Sequence, residues 1–168
     1  MIRALCKVVD LVLLLTFLTI SVVAPFLDAQ IFLPQWVFPD VLIRFHKWYT
    51  IEHQDYLLME KPHFFTALMK LELVFQFPLA LVNIYGLLAS KPWFNTTCLI
   101  FGASLMTHMT AILGEMVGSQ KASDKLIMMY SPFWGLGILA LLRGLLSQCG
   151  KASSVVGNGP GLVRKKRV

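Results

Sequence analysis

The sequence predicts an all-α membrane protein, a bundle of four transmembrane helices with an extramembrane cap between the first and the second. Three observations carry that expectation. Of the 168 residues, 57% are hydrophobic and 14% charged, and the mean hydropathy is +0.68. An average soluble domain is about 45–50% apolar and about 25% charged, and a soluble core of this size could not hide the surplus of Leu, Phe, Ile and Val. Four segments reach the roughly 20 apolar residues that a spanning helix needs: Val8–Leu27, Phe64–Leu88, Asn95–Val117 and Leu126–Leu146. The breaks between the last three, ASKPWFN and GSQKASDK, are short and carry turn chemistry.

The first segment has some features of a signal peptide: Arg3 and Lys7 precede the apolar run, and VVA offers a small-residue cleavage site. The run is too long for a usual h-region, however, and leads through Pro25 directly into Asp28, so a retained helix is expected. The stretch Ala29 to His63 holds Trp36, Trp48, Tyr49, Tyr56 and several charges. It is too polar to cross a bilayer and too aromatic for a bare linker. A compact cap of short helices at headgroup level accounts for both properties. The four-helix domain is placed at residues 1–147. Residues 148–168 read as a disordered, Gly- and Ser-rich cytosolic tail ending in the basic run KKRV.

Basic residues near the helix ends set the orientation. Arg3, Lys7, Lys91, Arg143, Lys151 and the final RKKR fall on one side, against Arg44, Lys47, Lys61, Lys121 and Lys125 on the other. Both termini are therefore expected in the cytosol, with the cap lumenal or extracellular and the sequon at Asn95 unmodified. The net charge of +6 does not point to nucleic acid. Four of the fifteen basic residues lie in the last five positions, with no stacking aromatics or recognition module, which suits a tail near anionic membrane lipids. Cys6, Cys98 and Cys149 are odd in number and widely separated, so reduced or palmitoylated thiols are expected rather than disulfides. His46, His53 and His63 show no metal-ligand spacing and read as surface histidines. No metal or cofactor is expected.

The chemistry lies in polar residues inside apolar helices. ELVFQFP, residues 72–78, puts Glu72 about a turn and a half into the second span and Gln76 one turn further on the same face. Asp28 closes the first span at a similar depth. Thr107, His108 and Thr110 lie midway along the third, and Tyr130 and Trp134 in the lumenal half of the fourth. An ionisable group in hydrocarbon costs a few kcal/mol, so it faces the bundle interior and finds a partner. Glu72 and Gln76 alone could serve only to tie helices together. Asp28 and Glu72 together, with Pro25 and Pro78 each freeing a carbonyl one turn earlier, favour an interior pocket. Its candidate ligand-binding residues are Asp28, Glu72, Gln76, Thr107, Thr110, Tyr130 and Trp134. Asp55, in the cap, could be solvated, cap a helix or accept a hydrogen bond over the pocket mouth; it is taken as a structural acid. His108 is expected to hydrogen-bond a neighbouring helix rather than to catalyse. GEMVG at 114–118 is a small-xxx-small pattern that suits either a homodimer contact or a turn.

Three blocks in order, LDAQIFLP, KWYTIEHQDYLL with EKPHFF, and ELVFQFPL, resemble the EXPERA family. The likeness runs over about residues 5–147 and is strongest over 26–88; YSPF anchors it in the fourth helix. The resemblance implies a four-helix fold in the endoplasmic reticulum membrane with a cavity opening sideways to lipid. It implies that the acid matching Asp28 pairs with the ammonium of cationic amphiphilic amines, that Glu72 lies beside it, and that Asp55 supports the architecture. Sterols would use a hydroxyl in place of the charge, and the biological role would be cholesterol homeostasis and trafficking, with sterol-trafficking membrane proteins as partners. In the sterol Δ8–Δ7 isomerase branch, a histidine sits one turn before the first acid; here that position is Ala24. The isomerase's fourth-helix asparagine has no counterpart in YSPFWGLGIL either. A non-catalytic binding member is therefore expected, with isomerase-like activity as the alternative. Lys165 and Lys166, four and three positions from the end, resemble a dilysine signal for retrieval to the endoplasmic reticulum.

Overall fold

The computed structural model describes residues 2–156, with side chains from 6 to 146. Helix α1 (Ile2–Phe26) leads through a 3-10 turn (Asp28–Ile31) into the cap. The cap holds a second 3-10 turn (Gln35–Val37), α2 (Asp40–Glu52) and α3 (Tyr56–Glu60). Next come α4 (His63–Leu71), a π turn (Glu72–Gln76) and α5 (Phe77–Leu88), which together make the second span. Helices α6 (Phe94–Ser119) and α7 (Asp124–Val156) complete the described residues, which contain no strand. Cys6–Ile31, His63–Leu88, Phe94–Ser119 and Asp124–Leu146 are each long and apolar enough to cross a membrane, which bears out the four-span bundle with its helical cap.

Lipid, not water, surrounds these helices, and the surface shows it. Val74 is 76% exposed and Leu146 72%, positions that would be costly on a soluble protein. The core is a seam of Leu13, Phe17, Phe65, Phe101, Leu105 and Ile112, with Phe17 edge-on to Phe101 at a centroid distance of 4.9 Å. Backbone approach replaces hydrophobic drive between α6 and α7. A side chain at Gly102 would collide with the backbone nitrogen of Leu141, and one at Gly137 would come within 2.8 Å of the Met106 nitrogen. In α1, the hydroxyls of Thr16, Thr19 and Ser21 return to carbonyls one turn back at 2.9, 2.9 and 2.7 Å, so no donor is wasted in hydrocarbon.

The end of the bundle away from the cap is tied by polar contacts. Arg143 on α7 donates to Asp10 of α1 at 2.8 Å and to Asn95 of α6 at 3.1 Å. Thr97 donates to Asn83 at 2.7 Å. The sequon asparagine is thus engaged within the bundle. At the other end the cap is anchored through α3. Tyr56 meets Ser119 at 3.0 Å, Lys121 bonds Glu60 at 2.9 and 3.0 Å, and Lys61 donates to the Ile31 carbonyl at 3.2 Å. Helix α2 has no fully buried residue.

Three sequence readings differ in detail. The second span is not one α-helix. Pro78 has no N–H for the Val74 carbonyl, and the ladder widens just before it; the Phe77 N–H bonds Glu72, five residues back. GEMVG is helical rather than a turn, with open space around both glycines. Helix α7 continues to Val156, past the boundary placed at 147, and Lys165 and Lys166 lie outside the described residues.

Candidate functional site

The π turn decides where the second span presents its acid. Glu72 is its first residue and Gln76 its last, and both are buried, at 7% and 0% exposure. Asp28 opens the 3-10 turn where α1 ends. Asp28 and Glu72 line a single cavity of about 360 Å³. Its walls are apolar: Ile20 and Val23 from α1, Phe65 and Met69 from α4, Leu105, Met109 and Ile112 from α6. Tyr130 and Phe133 of α7 and Phe45, His46 and Tyr49 of the cap helix α2 also line it. The volume lies at the low end of the roughly 300–1,000 Å³ typical of small-molecule pockets. A carboxylate here has little water to solvate it, so its charge is costly alone and stabilised beside a cation.

Gln76 serves the site indirectly. Its Nε2 lies 3.0 Å from His108 Nδ1. An amide nitrogen can only donate, so this contact makes Nδ1 the acceptor and leaves the imidazole proton on Nε2. That nitrogen is 3.7 Å from Glu72 Oε2. The expected tie of His108 to a neighbouring helix is therefore present, and it leads on to the acid.

Asp55 is fully buried. One oxygen accepts from the N–H groups of Leu57 and Leu58 at 3.1 and 3.3 Å, capping α3. The other accepts from the Tyr130 hydroxyl at 2.7 Å. Helix cap and hydrogen bond beside the cavity are thus one arrangement, and it fixes the ring of a cavity-lining tyrosine.

Thr107, Thr110 and Trp134 are not brought to the cavity. Leu105, Met109 and Ile112, spaced i, i+4, i+7, turn one face of α6 inward. At 100° per residue, 107 and 110 then fall on the other side. Thr107 donates to Ala103 at 2.9 Å beside a shallow outer groove. Trp134, 41% exposed, donates to Thr110 at 2.9 Å on the outer surface. Conversely, His46 and Tyr49 line the cavity although the sequence reading left His46 on the surface. The signal was available: Leu42, Ile43, His46, Tyr49 and Thr50 form the half-buried face of α2, while Val41, Arg44, Phe45, Lys47 and Trp48 are exposed. Burial, and then the nearby charge of Lys61, lower the His46 pKa from its ordinary value against the opposing pull of Asp55. Burial, then Asp55 and Asp28, raise that of Tyr49.

Fold and site together define a polytopic helical membrane protein with an acidic, largely apolar cavity among its helices. Residues 41–144 match the family model of EXPERA (EXPanded EBP superfamily), and the chain belongs to that family. Similar proteins include Sigma intracellular receptor 2 of Homo sapiens, 34% identical over 108 residues, which are 64% of this chain and 61% of the human protein. The Macaca fascicularis protein of that name is 33% identical over the same shares. That of Xenopus tropicalis is 26% identical over 133 residues, 71% of this chain and 78% of its own. The chain thus spans 61% of the length of the human relative it matches. The resemblance read from the three sequence blocks is borne out.

Proposed function

We propose that this chain is a receptor of the endoplasmic reticulum membrane that binds sterols, oxysterols and cationic amphiphilic amines in the cavity between its helices. Through that binding it regulates cholesterol homeostasis and trafficking together with sterol-trafficking membrane proteins. One observation carries the reading: Asp28 and Glu72, from separate spans, share one apolar cavity. A ligand ammonium placed between them offsets the cost of holding carboxylates away from water, and the apolar walls take the body of the ligand. A sterol would present its hydroxyl to the same acids. Retention in the endoplasmic reticulum rests on Lys165 and Lys166, with both termini cytosolic.

The proposed role is non-catalytic. The position where the isomerase branch carries its histidine is Ala24, fully buried in the core. Titration of a radiolabelled cationic amphiphile into purified protein tests the binding. Asp28→Asn and Glu72→Gln are expected to abolish it while thermal unfolding stays cooperative; unchanged affinity in both variants removes the reading.

The approach of His108 to Glu72 favours a second reading, an isomerase-like enzyme, because an imidazole near a cavity acid could share its proton. Expression in cells lacking the sterol isomerase separates the two. No restoration of Δ7-sterols is expected.

A further inference from the structure

One charge in the second span takes no part in the site just described. Lys70 stands about two turns, or roughly 10 Å, into α4. It is exposed, as are Leu71, Val74 and Phe75 on the outer surface of the same span. A bare ammonium is costly at that depth unless its tail reaches a polar partner or the headgroup layer. The tail ends over the Phe32 ring, 5.8 Å from its centroid. Lys61, just ahead of α4 and also exposed, reaches the preceding residue: its Nζ donates to the Ile31 carbonyl at 3.2 Å. Two ammonium groups from one segment thus converge on Ile31 and Phe32. Among the described residues neither forms an ion pair with a carboxylate. Glu60, next to Lys61 in sequence, is held by Lys121, and Asp28 lines the cavity. A carbonyl and a ring face answer two full charges only weakly.

We propose that Lys61 and Lys70 hold the phosphate of an anionic phospholipid at the cap-side rim of the bundle. A phosphate supplies the negative charge that the protein does not, and an ammonium binds it as a point charge without demanding one geometry. The surroundings select a lipid over free phosphate. Exposed Phe64, Leu71, Val74 and Phe75 run along the same span as Lys70 and offer acyl chains an apolar strip beneath the headgroup. Charge selects an anionic headgroup over a zwitterionic one. A choline would bring a third cation beside the two lysines, whereas a phosphatidylglycerol phosphate leaves a net negative charge to meet them. Neither lysine lines the cavity. The lipid therefore occupies a surface of its own and does not compete with a ligand of the two acids.

The test titrates phosphatidylglycerol, and phosphatidylcholine of the same chains, into the detergent-solubilised full chain and counts bound lipid by native mass spectrometry. Wild-type protein is expected to retain one phosphatidylglycerol in preference to phosphatidylcholine. Lys61→Gln and Lys70→Gln should each weaken that binding roughly fivefold, and the double variant more than either. Lys70→Arg, which keeps the cation, should bind as wild type. Lys47→Gln and Lys125→Gln remove exposed lysines elsewhere and should leave the adduct unchanged. Cooperative thermal unfolding of each variant shows that the fold is intact. The proposal is overturned by a wild-type protein that does not discriminate between the two lipids, by a double variant that binds like wild type, or by equal losses in the control variants. Displacement of the lipid by millimolar inorganic phosphate would make this a site for the free anion and overturn the lipid assignment.

Discussion

Replacing Asp55 tests whether the cap and the cavity are one structure. Its carboxylate meets three donors, the N–H groups of Leu57 and Leu58 and the Tyr130 hydroxyl, at 3.1, 3.3 and 2.7 Å. Asp55→Ala removes a helix cap, worth about 1 kcal/mol. It also strips a charged acceptor from the Tyr130 hydroxyl, for about 2 kcal/mol. The expected loss is about 3 kcal/mol, roughly 6–12 °C in Tm for a chain of this size. Asp55→Asn keeps an oxygen for the cap and should lose about half as much. Tyr130→Phe removes only the phenol bond, and the double variant should fall short of the summed losses by about 1–2 kcal/mol. Thermal unfolding of the detergent-solubilised protein, followed by tryptophan fluorescence, reads all four. An Asp55→Ala protein melting within about 2 °C of wild type, or strictly additive losses, would refute the reasoning.

Other consequences follow from the backbone and from the cap. Pro78→Ala restores a donor to the Val74 carbonyl, allowing the π turn to close to α-helix and turn Glu72; weaker amine binding with equal or higher Tm is expected, and unchanged affinity counts against it. Gly102→Ala drives a methyl into the Leu141 backbone and should cost about 2–3 kcal/mol. Gly114→Ala, with open space around it, should be neutral or gain up to about 1 kcal/mol; thermal shifts that fail to separate the two would contradict the close packing of α6 on α7. The His46 pKa is lowered in the folded protein, so at mildly acid pH the unfolded chain binds the extra proton. Its contribution to stability is complete above the unfolded value near 6.5 and is lost as pH falls through the folded value. His46→Gln should therefore flatten the decline of Tm between pH 7 and pH 5, and an unaltered slope would show that another group controls it.

Much of the site was legible in the sequence because burying an acid in hydrocarbon needs a reason. Asp28 and Glu72 stood out as carboxyls inside apolar runs at matching depth, and both line the cavity. Asp55, followed by a short apolar run, already had the local pattern of a helix cap. Thr107 and Thr110 could not be placed the same way. Helix α6 is apolar nearly all round, so its own sequence gives no strong stripe to show which face turns inward.

Composition and segment length by themselves determined four spans, their approximate limits and a helical cap. Lipid satisfies no backbone group, so an apolar run of that length has little choice but helix. What only the tertiary structure decided is rotation and partnership: the inward face of α6, the π turn ahead of Pro78, the contact of Gln76 with His108, and His46 brought by α2 to the cavity wall. The physical reason is that lipid is as apolar as the bundle interior. Hydrophobicity then loses its power to mark inside from outside, and close packing of backbones with a few long-range polar contacts sets the arrangement.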